Sequence, residues 1–265
     1  MNTPRVFDQK QYENLNFRRA AALTRLLGEL KDKLRLRTAI DVGCGLGYFS
    51  KLLGDLGLDV TGVDGRPENV EEARRRVPHA RFQIMNVEDP SVCGLGPFDL
   101  VLCLGLLYHL ENPFLAIRNM QKLAPDLLIV ESVIFPGAEP VMGLVDEGHA
   151  EDQGLNYVAF YPTEACLIKM IYRSGIRHVY RVTEMPDHPD FCPPQNERRV
   201  RTMLAASAEF LHSPLLERAA EPIIAFRPWI AEDARSSSFS QKMRRFAEKP
   251  WVERVAWFRC RWVRK

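Results

Sequence analysis

The segment Ala39-Ile-Asp41-Val-Gly43-Cys-Gly45-Leu-Gly47-Tyr-Phe-Ser50 holds three glycines at alternate positions, the first of them two residues after an aspartate. Glycines between a strand and a helix let the backbone approach a ligand that side chains would keep away. Seventeen residues past Gly47 stands Asp64, at the end of the next apolar run, where a carboxylate can accept from ribose hydroxyls. Asn86 and Val87 follow a third such run, where an adenine edge would lie. Tyr48 occupies the place where a dinucleotide fold wants its third glycine, which weighs against a nucleotide-dependent oxidoreductase. His109 follows a fourth apolar run, and the unperturbed pKa of an imidazole suits proton removal near neutrality, as a general base requires. The plainer alternative is that Tyr108-His109 packs or hydrogen-bonds its own loop.

These groups need a frame that gathers them at one edge. Tyr12, Leu15, Leu23, Leu26, Leu27 and Leu30 recur near helical spacing and predict an amphipathic N-terminal helix. Strands are then predicted at 38–42, 58–63, 81–85, 98–103 and 127–132, with helices at 48–56 and 67–76 between them. A further helix begins at Pro113 with Asn112 as its cap, and Gly57 and Gly175 are placed to end helices. Short apolar strands separated by helices indicate the α/β class, with a doubly wound, mostly parallel sheet. After Ser132 the rhythm breaks, and residues 133–160 read as an irregular insertion at the carboxyl end of the fifth strand. A helix at 163–174, a sixth strand at 178–182, a helix through Arg199 to Phe210 and a seventh, antiparallel strand at 222–226 at or near the edge complete a seven-stranded sheet. The resulting organisation is a helical cap over 1–35, the sheet domain over 36–230 and a tail over 231–265, basic from Ser236 onward and either helical or disordered.

Asp41-Val-Gly-Cys-Gly-Leu-Gly47, Val63-Asp64 and Phe98-Asp-Leu-Val-Leu-Cys-Leu-Gly-Leu-Leu-Tyr-His109 together resemble the class I S-adenosylmethionine-dependent methyltransferases. The resemblance is close over residues 39–132 and elsewhere follows element order alone. It implies an enzyme with S-adenosylmethionine as cofactor. Gly43, Gly45 and Gly47 would face the methionine moiety, Asp64 the ribose, and Asn86 with Val87 the adenine; Cys44 and Gly65 belong to the same set. Leu104 would be a backbone contact beside the methionine, and Asp41 would orient the loop and the cofactor's amino end. Many members have Asp where this chain has Asn86, whose amide oxygen still accepts a hydrogen bond, with weaker binding expected. His109, with Tyr108 beside it, would lie where the transferable methyl points and act as base. The segment from Gly105 to Pro113 is similar to one in the tRNA wobble-uridine carboxymethyltransferases, and Asn156 to Thr163 is distantly like a later stretch of them. Those enzymes use a carboxylated cofactor held by basic side chains, and the sequence assigns no such residue here.

The expected reaction is methyl transfer to a small-metabolite or glycan-type acceptor, at oxygen. Its alternatives are uridine modification in tRNA and, in another class, cofactor binding without turnover by an interaction module. Glu131, His149, Tyr157 and Tyr161 are candidate acceptor contacts. Residues 133–160 carry five acids (Glu139, Asp146, Glu147, Glu151 and Asp152) and no Lys or Arg, a charge that would repel a phosphate backbone. The spacing of Asp146, Glu147, His149 and Asp152 fits no specific metal site, so no metal is assigned. Residues 241–265 hold nine Lys or Arg against two acids, and all four tryptophans lie in the last 37 residues. That composition suits RNA stacking, a peripheral membrane helix, or packing on the body or on a second subunit. At 46% hydrophobic and 26% charged residues, the chain is a folded one, with no apolar run long enough to span a bilayer. The N-terminus has no apolar signal core, and Cys44, Cys93, Cys103, Cys166, Cys192 and Cys260 form no C-x-x-C pair. Both features fit a cytoplasmic protein with reduced thiols.

Overall fold

The helix α1 (Lys10–Leu34) buries Leu15, Arg19, Ala22, Leu23, Leu26, Leu27 and Leu30, the stripe that a 3.6-residue period produces. This is the computed structural model of the chain, which describes residues 5–123, 125–150, 153–194 and 198–224. The chain divides into two compact units, Met1–Pro222 and Ile223–Lys265. What the sequence implies for the tail, its tryptophans and its basic run lies outside the described residues, as do Glu151 and Asp152.

The strands of the first unit are β1 (Thr38–Val42), β2 (Asp59–Asp64), β3 (Arg81–Ile84), β4 (Leu100–Leu104), β5 (Leu127–Val133), β6 (Met142–Asp146), β7 (Val158–Pro162), β8 (His178–Val182), β9 (Arg201–Ser207) and β10 (Leu216–Arg218). The main sheet runs β3-β2-β1-β4-β5-β9-β8-β10. Its first five members are parallel, whereas β9 runs antiparallel to β5 and β8, and β10 antiparallel to β8. One face packs Ala39, Val60, Leu100, Leu102 and Ile129 against α1 and against Phe49 and Leu53 of α2 (Tyr48–Asp55). The other packs Ile40, Val42, Val101, Cys103 and Val130 against α4 (Pro113–Lys122) and α5 (Glu164–Arg173). The helix α3 (Pro67–Arg76) sets Val70 and Ala73 on Phe82 of β3. The strand order reverses between β1 and β4, and a doubly wound sheet opens its crevice at the carboxyl ends beside such a reversal.

Five expectations need correction. The main sheet has eight strands among the described residues, not seven. The segment read as a helix through Arg199 to Phe210 is largely β9, which lies inside the sheet; Pro222 to Ile224 form no strand, and 225–226 lie outside the described residues. Met203 and Ala205 of β9 join one core and Leu204 and Ala206 the other. Burying a Met or Leu gains about 1.5–3 kcal/mol. Helix propensities among ordinary residues differ by at most about 0.7 kcal/mol, so burial on both faces decides. The insertion is not irregular throughout, since β6 and β7 pair as an antiparallel hairpin. Asn112 makes no side-chain cap, although Pro113 does open α4; the Asn112 N–H donates to Glu88 Oε1 at 2.6 Å.

Asp41, near the end of β1, fastens the sheet to α2. Its carboxylate accepts from Ser50 Oγ at 2.7 Å, and burial pushes its pKa from 3.8 up to about 6. The folded carboxyl therefore keeps its proton between about pH 4 and 6 while the unfolded one has lost it. Stability falls as pH rises through that window, by roughly 3 kcal/mol from this group. Asp41→Asn removes the titration. Urea denaturation should show the variant gaining on the wild type by about 2–3 kcal/mol between pH 4 and pH 7.5, whereas a pH-independent difference would contradict the buried charge.

Candidate active site

Beyond β1 the chain turns sharply, with Gly43, Gly45 and Gly47 at φ 74°, 52° and 87°. The left-handed region costs an L side chain about 1–2 kcal/mol, so glycine is the residue that fits. A Cβ on Gly43 would also stand 2.9 Å from Leu106. The N–H groups of Gly43 and Cys44 donate to Val63 O at 2.8 and 3.0 Å. Asp64 completes the tie. Its Oδ2 accepts from Gly45 N–H at 2.9 Å, and its Oδ1 accepts from Arg66 N–H at 2.9 Å and Asn69 Nδ2 at 3.2 Å. Burial still pushes the Asp64 carboxyl above its ordinary value despite these donors.

A cavity of about 300 Å³ opens at the carboxyl ends of β1, β2 and β4. Its wall brings together Gly43, Gly45, Asp64, Gly65, Asn86, Val87 and Leu104 of the expected cofactor set with Tyr108, His109 and Tyr161 of the expected catalytic and acceptor set. Cys44 and Gly47 line an adjoining cavity of about 500 Å³ on the other side of the glycine loop. Asn86 Oδ1 already accepts from Glu88 N–H at 2.9 Å, in a turn. Asp41, Glu131, His149 and Tyr157 lie off both walls. The His149 and Tyr157 rings touch each other instead, tilted by 50° with centroids 3.9 Å apart, and Tyr157 stands at φ 58°.

Glu131 is sealed under the floor of the cavity between two arginines. Arg201 Nη1 donates to its Oε1 at 2.9 Å, and Arg19 Nη2 stands 2.9 Å from its Oε2 as an ion pair without hydrogen-bond alignment. Burial alone would raise the Glu131 carboxyl; the two guanidiniums overcome it and hold it below its ordinary value. Arg201 also donates from Nε to Asp190 Oδ2 at 3.1 Å and from Nη2 to Tyr108 Oη at 3.4 Å. Both arginines reach the cavity wall. Sequence reasoning missed them. Arg19 fills the gap between Leu15 and Leu23 in the α1 stripe, a signal legible in the sequence; Arg201 opens β9, whose composition resembles a helix.

The insertion supplies the remaining wall. His109 Nδ1 lies 2.6 Å from Glu147 Oε1, while Glu147 Oε2 accepts from Gly154 N–H at 2.6 Å. Arg66, two residues past Asp64, donates from Nη2 to Gln153 O at 2.8 Å and Gly154 O at 3.3 Å. Tyr108 and Tyr161 meet edge to face at 5.8 Å, and burial, with Glu147 beside it, raises the Tyr161 hydroxyl. Among the described residues no group of three His, Cys, Asp or Glu side chains is placed to hold a metal ion, and no helix is long and apolar enough to cross a membrane.

A family model described as a methyltransferase domain matches residues 12–159. The tRNA U34 carboxymethyltransferase of Actinobacillus succinogenes is 28% identical over 161 residues, covering 57% of this chain and 48% of that protein. The ubiquinone biosynthesis O-methyltransferase of Psychrobacter arcticus is 33% identical over 129 residues, covering 42% of this chain and 50% of that one. The chain thus spans about half the length of these curated relatives. Among solved structures, the N-terminal domain of EvdMO1 in the presence of SAH and D-fucose superposes with a TM-score of 0.58 at 20% identity, over 76% of this chain and 84% of that one. The magnesium protoporphyrin IX methyltransferase of Synechocystis with bound SAM gives 0.53 at 18% identity, over 78% and 85%. At these identities the likeness is one of fold. With the glycine loop, the strand order and a domain match over more than half its length, the chain belongs to the methyltransferase domain family.

Proposed function

We propose that the chain is a cytoplasmic, S-adenosylmethionine-dependent methyltransferase acting on a hydroxyl of a small-metabolite or glycan-type acceptor, with His109 as general base. The observation that carries this reading is that His109 stands on the wall of the same cavity as Gly43, Gly45 and Asp64. The free thiols of Cys44, Cys93, Cys103, Cys166 and Cys192 suit a reducing compartment.

The residues present fit the cofactor. A carboxylate offers about four acceptor positions, and Gly45, Arg66 and Asn69 occupy three on Asp64. Asn69 Oδ1, buried on the same wall, has no partner, so the two side chains together offer two acceptors to a vicinal diol. Arg19 has a buried Nε without a partner, and its guanidinium flanks Gly105, where a Cβ would stand 3.7 Å from each Nη. An amino-acid carboxylate matches that cation. When bound, the cofactor supplies an electrophilic methyl group on its sulfonium. The chain positions the reactants and excludes water. Tyr108 and Tyr161 enclose the acceptor side, Gly154 and Leu155 cover the ribose side, and His109 takes the hydroxyl proton as the oxygen attacks.

One observation favours a second reading. Arg201 meets Tyr108 on the cavity wall, with its guanidinium carbon 5.5 Å from the ring centroid. It is a basic side chain of the kind that a carboxylated cofactor, and hence uridine modification in tRNA, would need. Glu131 and Asp190 already balance its charge, which is why the unmodified cofactor comes first.

Calorimetric titration with both cofactors separates the readings. S-adenosylmethionine should bind at least as tightly as its carboxylated form. A strong preference for the carboxylated form, lost in Arg201→Ala, would favour the second reading. Asp64→Ala, if folded, should cost about 1.5–3 kcal/mol of affinity, roughly 10- to 150-fold; unchanged affinity would remove the ribose assignment. A labelled-methyl screen of metabolite, glycan and RNA pools identifies the acceptor. His109→Ala should then slow turnover by about 10²- to 10⁴-fold with cofactor binding intact.

A further inference from the structure

Glu147 comes from the acidic insertion, yet its side chain is 3% exposed and both oxygens are engaged. Oε1 faces His109 Nδ1 at 2.6 Å and Oε2 accepts from Gly154 N–H at 2.6 Å, while the Glu147 N–H donates to Tyr157 O at 2.8 Å. Gly154 is packed closely against both groups, since a Cβ there would stand 2.5 Å from His109 O and 2.8 Å from Glu147 Oε2. The Arg66 guanidinium fixes the carbonyls of Gln153 and Gly154. An ionised carboxylate only accepts hydrogen bonds, so the contact with Nδ1 requires the proton on that nitrogen. A neutral imidazole in water favours the opposite tautomer, with its proton on Nε2. The partner on one ring nitrogen decides the state of the other.

We infer that Glu147 is a positioning residue for His109. It holds the Nδ1–H tautomer, makes Nε2 the basic nitrogen, and stabilises the imidazolium that forms when the acceptor's proton arrives. In the transfer, the acceptor O–H proton passes to Nε2 and the oxygen pair bonds to the methyl carbon. The C–S pair stays with sulfur, and the ring later returns its proton to solvent. The catalytic part of this inference rests on the base reading above; the tautomer assignment does not. Because its second oxygen holds Gly154, the same carboxylate ties the base to the segment that lines the ribose side.

The test is nitrogen NMR of the full chain with isotope-labelled histidine, saturated with S-adenosylhomocysteine at pH 8, with the His109 signals assigned by their loss in His109→Gln. The wild type should show Nδ1 protonated and Nε2 bare. In Glu147→Gln the amide keeps an oxygen for Gly154 N–H and turns an N–H toward Nδ1, so the proton should move to Nε2 while S-adenosylhomocysteine affinity holds. Turnover of the acceptor found in the labelled-methyl screen should fall about 10²- to 10⁴-fold, in kcat rather than KM. A wild-type ring protonated on Nε2 alone or on both nitrogens overturns the inference, as does a tautomer unchanged in Glu147→Gln. A reversed tautomer with undiminished turnover upholds the tautomer assignment and overturns the base reading instead.

Discussion

The carboxylate of Asp64 holds three donors at once: the N–H of Gly45 in the turn after β1, the N–H of Arg66 before α3, and the amide of Asn69 within α3. The wall of the cavity depends on this convergence. It fixes the glycine turn against β2 and aims the start of α3. It also sets Arg66 where its side chain reaches the insertion. Asp41 makes the matching tie on the other side, to Ser50 of α2. Burial raises both carboxyls, so ionising either one costs more in the folded chain than in the unfolded one.

A second charge cluster borders the cavity. Glu131 draws Arg19 of α1 and Arg201 of β9 toward each other, so elements far apart in sequence contribute adjacent cations. A buried ion cluster is weak evidence for stability, because desolvation can offset the attraction, but loss of one partner strands the others. Its consequence here is placement: Arg201 beside Tyr108 and Arg19 beside Gly105. The insertion closes the remaining side through Glu147 and Gly154, linking His109 to the loop that follows Asp64.

The sequence made the glycine turn, Asp64, the parallel strands and the cavity position of His109 legible because each is a local pattern: a strand, a turn residue, a helix start. What it concealed depends on tertiary context. In β9 the run Arg-Thr-Met-Leu-Ala-Ala-Ser is buried on both faces apart from its first residue, so no two-residue alternation marks it as a strand, and its Met, Leu and Ala favour a helix. Losing β9 to a helix also hid Arg201, the basic side chain on which the second reading rests. Glu147 read as one of five acids that would repel a phosphate backbone, because nothing in 133–160 announces that β6 and β7 fold it back onto His109. Glu131, read as an acceptor contact, became the hidden counter-charge of two arginines; only pairing across β5 and β9 reveals that.

On the proposed reading, three separate segments, 43–47, 64–69 and 153–155, close around one cofactor. Amide hydrogen exchange with and without S-adenosylhomocysteine tests it most directly. The account predicts slowed exchange in all three segments together, and also around His109, with the distant edge strand β10 unaffected. Protection confined to the glycine turn, or absent from 153–155, would contradict it.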